Sequence, residues 1–388
     1  MPRALKFSGN NDVALYHGGG EFFPALIEAC AEAQHEIYLE TYIFAHDPSG
    51  DRVKAALTEA AARGVKVHVL TDWIGTGRVH SLALKRELKQ AGVEHRNFNP
   101  WFWRGVARNH RKLCVIDDNA AFIGGINIID DMIADDDGRA MLPHARWDFA
   151  VRVAGPLVVE MRAEAEEQWL RVGPMKLRSR IELLRRAKKP KGPADTRAMQ
   201  AALVVRDNFR NRRTIQKAYL QAIGHAQKSV LIANPYFAPG RKLRSALEQA
   251  VSRGVEVTLL LGVGQFKLQD AVAHSFYPKL LEAGVTLVEY RHTQLHAKVA
   301  VADGDWATVG SSNIDGLSLF LNKEANLVIR DVQFAKALRA QIEQGVAQGV
   351  VVDRADYAGI PWFKRAWYGA AFLLYQTIIR VVTWSRYV

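Results

Sequence analysis

Two stretches of this chain carry the same residue types at the same spacing. The first runs His110-Arg111-Lys112-Leu113-Cys114-Val115-Ile116-Asp117 and is completed by Gly124, Gly125 and Asn127. The second runs His296-Ala297-Lys298-Val299-Ala300-Val301-Ala302-Asp303 and is completed by Gly310, Ser311 and Asn313. Both obey H-x-K-x4-D-x6-G-[GS]-x-N, a pattern too specific to arise twice by chance. On a strand, residues two apart share a face, so His110 projects with Lys112 and His296 with Lys298. An imidazole can attack as a nucleophile or exchange protons near neutral pH, and the lysine beside it holds negative charge. Two such pairs, with Asn127 and Asn313 as further donors, suit a phosphoryl group whose charge is spread over its oxygens. The small residues at the following turn predict close approach of backbone N–H groups to that anion.

Rival chemistries find less support. Lysine is not a usual metal ligand, and neither H-x-x-x-H nor H-E-x-x-H occurs, so no metal and no cofactor is expected. Gly262-Val263-Gly264 lacks the third glycine of a dinucleotide fingerprint, and no G-x-x-x-x-G-K-[ST] is present.

The elements that must position these residues also repeat. In the first half, helical periodicity over Ala25–Gln34 precedes a strand-like run, Ile37–Phe44, and the breaker Asp47-Pro48-Ser49-Gly50. A helix near Arg52–Arg63, a strand Val65–Leu70, a helix near Ser81–Ala91 and a strand near Asp148–Val153 follow. The second half runs in the same order, with helices at Ile215–Gln227 and Lys242–Arg253 and strands at Ser229–Ala233, Val255–Leu261 and Val285–Tyr290. Alternating strands and helices predict an α/β protein of two similar units, each a mixed sheet flanked by helices. The expected boundaries are 1–172 for the first unit, 173–200 for a basic linker, 201–355 for the second unit and 356–388 for an aromatic and basic C-terminal segment.

The chain has 388 residues and a formal net charge of +12, which predicts a polyanionic partner, either a nucleic acid or an anionic membrane. Cys30 and Cys114 sit in hydrophobic patterns and read as buried thiols of a reducing compartment. The N-terminus shows no apolar core of signal-peptide length, so secretion is not expected.

With the duplicated motif in hand, the chain resembles the phospholipase D superfamily, and within it the bacterial cardiolipin synthases of the short B type that lack long N-terminal transmembrane helices. The likeness extends to Leu39–Phe44, Ala121–Asn127, Ile232–Gly240, Trp306–Asp315 and Leu321–Leu327. The resemblance implies two phospholipase D-type domains related by pseudo-two-fold symmetry and a two-step transfer through a covalent phosphohistidine. By the family's habit, His110 attacks phosphorus, while His296 protonates the leaving alcohol and then deprotonates the incoming hydroxyl. Lys112, Lys298, Asn127 and Asn313 hold the phosphate. The family counts Asp117 and Asp303 with the catalytic residues. Strand alternation instead turns them away from the lysines and reads them as structural supports. Asp148 and Glu324 occupy matching places before similar strands, where a carboxylate fixes a histidine tautomer.

The implied reaction makes cardiolipin from phosphatidylglycerol and a second phospholipid, releasing a small alcohol such as glycerol. Hydrolysis to phosphatidic acid is the alternative, and a nuclease the next. Two stretches favour a lipid substrate over nucleic acid. One is Phe98-Asn99-Pro100-Trp101-Phe102-Trp103, flanked by Arg96, Arg104 and Arg108. The other is Pro361–Val388, whose uninterrupted apolar run is too short for the ~20 residues that span a bilayer and suits a helix lying in the interface. The Lys176–Lys191 stretch reads as a solvated linker or a lipid-touching polybasic patch. The expected location is peripheral, on the cytoplasmic side of the bacterial inner membrane. The sequence leaves the oligomeric state and the donor lipid open.

Overall fold

The computed structural model describes residues 5–102, 105–135, 140–173, 199–208 and 211–383. The basic stretch Lys176–Lys191, Trp103, Arg104 and the last five residues lie outside them. Within the described residues the chain forms two mixed sheets. The first contains β1 (Asp12–His17), β2 (Glu36–Thr41), β3 (Lys66–Asp72), β4 (Glu94–Phe98), β5 (Leu113–Ile116), β6 (Ala120–Gly124) and β7 (Phe149–Ala154), in the order β1-β7-β6-β5-β2-β3-β4. The second contains β8 (Gln200–Arg206), β9 (Ser229–Asn234), β10 (Glu256–Gly262), β11 (Thr286–Tyr290), β12 (Val299–Ala302), β13 (Trp306–Gly310), β14 (Glu324–Arg330) and β15 (Val350–Val351). Its order, β8-β14-β13-β12-β9-β10-β11-β15, repeats the first with one short strand added at the edge. The two-unit α/β architecture is therefore the one the duplication implied.

Each sheet joins a parallel part to an antiparallel part. The parallel strands β2, β3 and β4 are linked by helices Pro48–Ala62 and Arg78–Gln90. The first of these starts because Asp47 accepts a 2.8 Å hydrogen bond from Gly50 N–H and Pro48 fits the first helical turn. It stops before Gly64, whose φ of +94° closes the turn into β3. The motif strands β5 and β12 lie antiparallel against β2 and β9, with all four residues of each buried.

The two units do not keep separate interiors. Val115, Ile123 and Val151 of the first sheet pack in one cluster with Val299, Val301 and Leu327 of the second. Met161 and Ala165 from helix Leu157–Val172, and Leu338 and Ile342 from helix Val332–Gln348, complete it. Fully burying a side chain of this size stabilises by about 1.5–3 kcal/mol, so this shared core fastens the sheets together at the motif strands. Two outer clusters, around Leu57, Val67 and Leu88 and around Leu247, Leu259 and Leu280, lie under the remaining helices.

Asp117 and Asp303 explain their own repetition. Asp117 accepts hydrogen bonds of 2.8–2.9 Å from the N–H groups of Gln34, His35 and Glu36, just where β2 begins. Asp303 does the same for Gln227, Lys228 and Ser229 at the start of β9. Both adopt positive φ, 51° and 50°, a left-handed turn that Asp tolerates better than most residues. Replacing Asp117 with alanine should cost about 1–3 kcal/mol through the stranded N–H groups. The expected reading is a lower midpoint in denaturant unfolding with unchanged oxyanion affinity; a lost affinity in a stably folded variant would contradict it.

The C-terminal segment, expected to be an interfacial helix, is a helix over Trp362–Thr383. Ala371 and Ile379 are buried, and Tyr375 Oη accepts a 2.6 Å hydrogen bond from Gly316 N–H, so the helix is docked on the second unit. Trp362, Phe363, Trp367, Leu373, Leu374 and Val381 remain exposed. No helix among the described residues is long and apolar enough to cross a membrane.

Candidate active site

Each motif begins three residues before its strand and is strapped to the opposite unit. His110 N–H donates to Lys323 C=O at 2.9 Å, and His296 N–H donates to Trp147 C=O at 2.9 Å. Lys112 Nζ reaches back 2.8 Å to His110 C=O, and Lys298 Nζ likewise donates to His296 C=O. All four residues lie just ahead of their strands rather than in them, and both histidines and both lysines are buried.

The ring partners cross between the units. His110 Nδ1 lies 3.1 Å from Glu324 Oε2 and 3.0 Å from Ser311 C=O. His296 Nδ1 lies 2.6 Å from Asp148 Oδ2. These partners are acceptors when the carboxylates are ionised, so Nδ1 carries the proton in each neutral ring. Nε2 is then left with its lone pair, the form in which an imidazole attacks phosphorus or receives a proton. Ser311 Oγ donates to the same Glu324 oxygen at 2.5 Å.

Burial dominates the electrostatics. Lys112 is pushed down to about 7 by burial and by Lys298, and Lys298 down to about 8 mainly by burial. Burial lowers both histidines as well, with Lys112 adding to the effect at His110 and Lys298 at His296. Burial raises Asp148 to about 6. An arriving phosphodiester supplies the negative charge that this cluster lacks, and so favours the protonated lysines and a protonated His296. Oxyanion binding should therefore take up protons and weaken as pH rises through about 7 and about 8. Calorimetric titration with tungstate in buffers of different ionisation enthalpy checks this; an affinity constant across that range would contradict it.

The remaining expectations divide. Asn127 and Asn313 are buried at the motif turns; Asn127 Oδ1 accepts from Ile43 N–H at 3.2 Å, whereas Asn313 Oδ1 has no partner among the described residues. Asp117 and Asp303 sit at the far ends of β5 and β12, away from the histidines, because their N–H partners begin β2 and β9. The N–H groups of the motif turns, expected to face an anion, are bonded to protein carbonyls instead: Gly125 donates to Phe149 C=O at 2.9 Å and Ser311 to Ala325 C=O at 3.0 Å. A Cβ on Gly125 would stand 2.2 Å from Asp148 Oδ1, and one on Gly310 2.3 Å from the Asn326 side chain. They are small so that the Asp148 carboxylate and the Asn326 carboxamide can come in against them.

Five residues at the centre were given no role there by the sequence reading. Tyr42 stands edge-on to His110 with ring centroids 4.9 Å apart, held by Arg108 Nη1 at 2.6 Å. Asp135 Oδ2 lies 3.4 Å from His296 Nε2, and Arg146 and Gln294 support that carboxylate. The signal for Asp135 was a broken symmetry: Asp148 follows Asn127 by 21 positions, Glu324 follows Asn313 by only 11.

The family description "Cardiolipin synthase, PLD-like domain" matches residues 26–137 and 219–346. The chain is 39% identical to cardiolipin synthase B of Salmonella typhi over 369 residues, covering 92% of this chain and 85% of that one. It belongs to the phospholipase D-like cardiolipin synthase family. Another family member, cardiolipin synthase B of Escherichia coli K12, is 37% identical over 366 residues, with the same two coverages of 92% and 85%. The fold of this family member also matches the crystal structure of phosphatidylserine synthase from Haemophilus influenzae, with a TM-score of 0.70, 16% identity, and 98% and 97% of the two chains covered.

Proposed function

We propose that the chain is a cardiolipin synthase. It moves a phosphatidyl group from one phospholipid to the headgroup hydroxyl of phosphatidylglycerol and releases a small alcohol. The observation that carries this reading is the meeting of two His-Lys pairs, with crossed carboxylates, in a chain 39% identical to a cardiolipin synthase B over nearly its whole length. In the first step His110 Nε2 attacks phosphorus, the P–O bond to the leaving alcohol breaks, and His296 gives that oxygen a proton. In the second step the acceptor hydroxyl attacks, the P–N bond breaks, and the hydroxyl proton passes to His296. Lys112, Lys298 and Asn313 hold the non-bridging oxygens, and their fixed charges and dipoles favour the more highly charged transition state. Glu324 and Asp148 hold the two rings in the required tautomer.

The site end of the molecule suits an anionic bilayer. Trp101, Val79, Leu82 and Val106 are exposed around the loop that follows the C-terminal edge of β3 and β4. The C-terminal helix packs on helix Lys267–His274, which follows the same edge of β10. Its exposed apolar residues are interspersed with Lys364, Arg365 and Arg380 and with no acid. Aromatic and basic residues together favour the interface of an anionic membrane. We place the protein peripherally on the inner membrane. The cytoplasmic side fits Cys30 and Cys114, which are neighbouring free thiols. Deleting residues 361–388 should shift the protein from vesicle-bound to free in sedimentation with phosphatidylglycerol vesicles. Unchanged binding would contradict this anchor.

Purified protein incubated with labelled phosphatidylglycerol vesicles tests the activity. Cardiolipin is the expected product. Phosphatidic acid alone would indicate a hydrolase, and DNA cleavage without either lipid product would overturn the lipid reading.

A further inference from the structure

Transfer and hydrolysis share every motif residue, so something outside the motifs must distinguish an alcohol from water. His296 is placed between two carboxylates. Its Nδ1 is paired with Asp148, and its Nε2 faces Asp135 Oδ2 at 3.4 Å. With the proton on Nδ1, a neutral ring aims a lone pair at an oxygen that also has only lone pairs. Two acceptors in that relation call for donors between them. The ion pairs of His110 among the described residues reach only Glu324, through Nδ1, so this feature belongs to His296 alone.

Asp135 is not there by accident of a loose loop. Gln294 grips it from both sides: its Oε1 accepts Asp135 N–H at 3.3 Å and its Nε2 donates to Asp135 Oδ1. Arg146 Nε in turn fixes Gln294 at 2.9 Å. Oδ2 is the oxygen left to face the imidazole. Burial pushes this carboxyl up, but His296, Arg146 and Lys298 outweigh it and hold it below the usual range, so it stays an acceptor. The residue lies in the extra segment that only the first unit carries.

We infer that Asp135 seats the acceptor alcohol by accepting a hydrogen bond from a second hydroxyl adjacent to the attacking one, so that the site selects a vicinal diol. The inference rests on the proposed cardiolipin synthase reading and deepens it. The glycerol headgroup of phosphatidylglycerol has such a pair. Its terminal hydroxyl gives its proton to His296 Nε2 as its oxygen bonds to phosphorus and the P–N bond breaks. The neighbouring hydroxyl donates to Asp135 Oδ2 and transfers no proton. Water has no second hydroxyl to offer from a fixed position. A monohydric alcohol leaves the buried carboxylate facing the ring without a donor, the kind of loss that gives strong discrimination.

The test uses two soluble isomers of equal size. The wild-type chain is supplied with phosphatidylglycerol vesicles and either propane-1,2-diol or propane-1,3-diol, and the phosphatidyl products are separated. The 1,2-isomer should be preferred by about tenfold or more, the scale of a hydrogen bond to a charged group. Asp135→Asn should bring that ratio close to one and raise phosphatidic acid relative to cardiolipin. Both readings are ratios within one preparation, so a general loss of activity cancels. Cardiolipin formed by a wild-type chain that treats the isomers alike would overturn the inference and leave the proposed function standing. So would an Asp135→Asn variant that keeps the preference while binding donor lipid more tightly, since the carboxylate would then be only a stand-in for phosphate. No phosphatidyl product of any kind from the wild-type chain would overturn both.

Discussion

His110→Ala should abolish the covalent intermediate. With phospholipid labelled in its phosphatidyl part and an acid-free quench, the wild-type chain is expected to retain label and the variant none, while turnover falls by roughly 10⁶, the scale seen when a nucleophile is removed. His296→Ala should behave differently. Losing a general acid and base slows each step by roughly 10²–10⁴, yet label still accumulates on His110. The asymmetry has a basis in the site: among the described residues the carboxylate paired with His110 is met through Nδ1, whereas His296 has a second one, Asp135, facing its Nε2. Label retained without His110 would reverse the assignment.

The carboxylate variants should then show effects in the opposite unit from the one they occupy. Glu324→Gln lies in the second unit, but its partner is His110, so the variant should slow phosphoenzyme formation. Asp148→Asn lies in the first unit and should slow both phosphoenzyme formation and transfer to the acceptor, since His296 serves in each. A ring left free to take the wrong tautomer costs up to about 10⁴ in rate in the analogous Ser-His-Asp arrangement, and roughly 10²–10⁴ is expected here. Rapid-quench measurement of the two steps separates them. A Glu324→Gln variant with normal phosphoenzyme formation and slow transfer would contradict the crossed geometry. Global unfolding is not the expected cause, since Ser311 Oγ still has an amide oxygen to bond at position 324.

The repeated pattern carried the site residues because periodicity is local. His110 and Lys112, or His296 and Lys298, lie within three positions of each other directly ahead of a motif strand, and no long-range information is needed to pair them. The crossing was not local. Asp148 and Glu324 stood out as matched carboxylates, but which histidine each would serve depends on how two sheets face each other. That arrangement is set by the shared core of Val115, Val151, Val301 and Leu327, whose periodicity shows burial but not the partner. The glycines were misread for a related reason. A small residue marks close approach, and the sequence does not say whether anion or neighbouring strand approaches. Tyr42 and Arg108 lay in stretches already singled out, yet nothing in their spacing points at a histidine 68 positions or two positions away. Asp135 was hidden by the search for likeness itself, since it lies where the halves differ.

The crossed carboxylates also say something about descent. A single copy of this unit would hold a histidine, a lysine and an acid that cannot serve its own ring, so it would complete a site only by meeting a second copy. In such a pair the two histidines are equivalent, and either can attack phosphorus or act as the acid. Joining the copies in one chain lifts that equivalence, because each position can then change on one side only. Gly125 beside Asp148 against Ser311 beside Glu324, and the extra segment bearing Asp135, are differences of this one-sided kind. A single chain can in this way hold two chemically identical groups to different tasks.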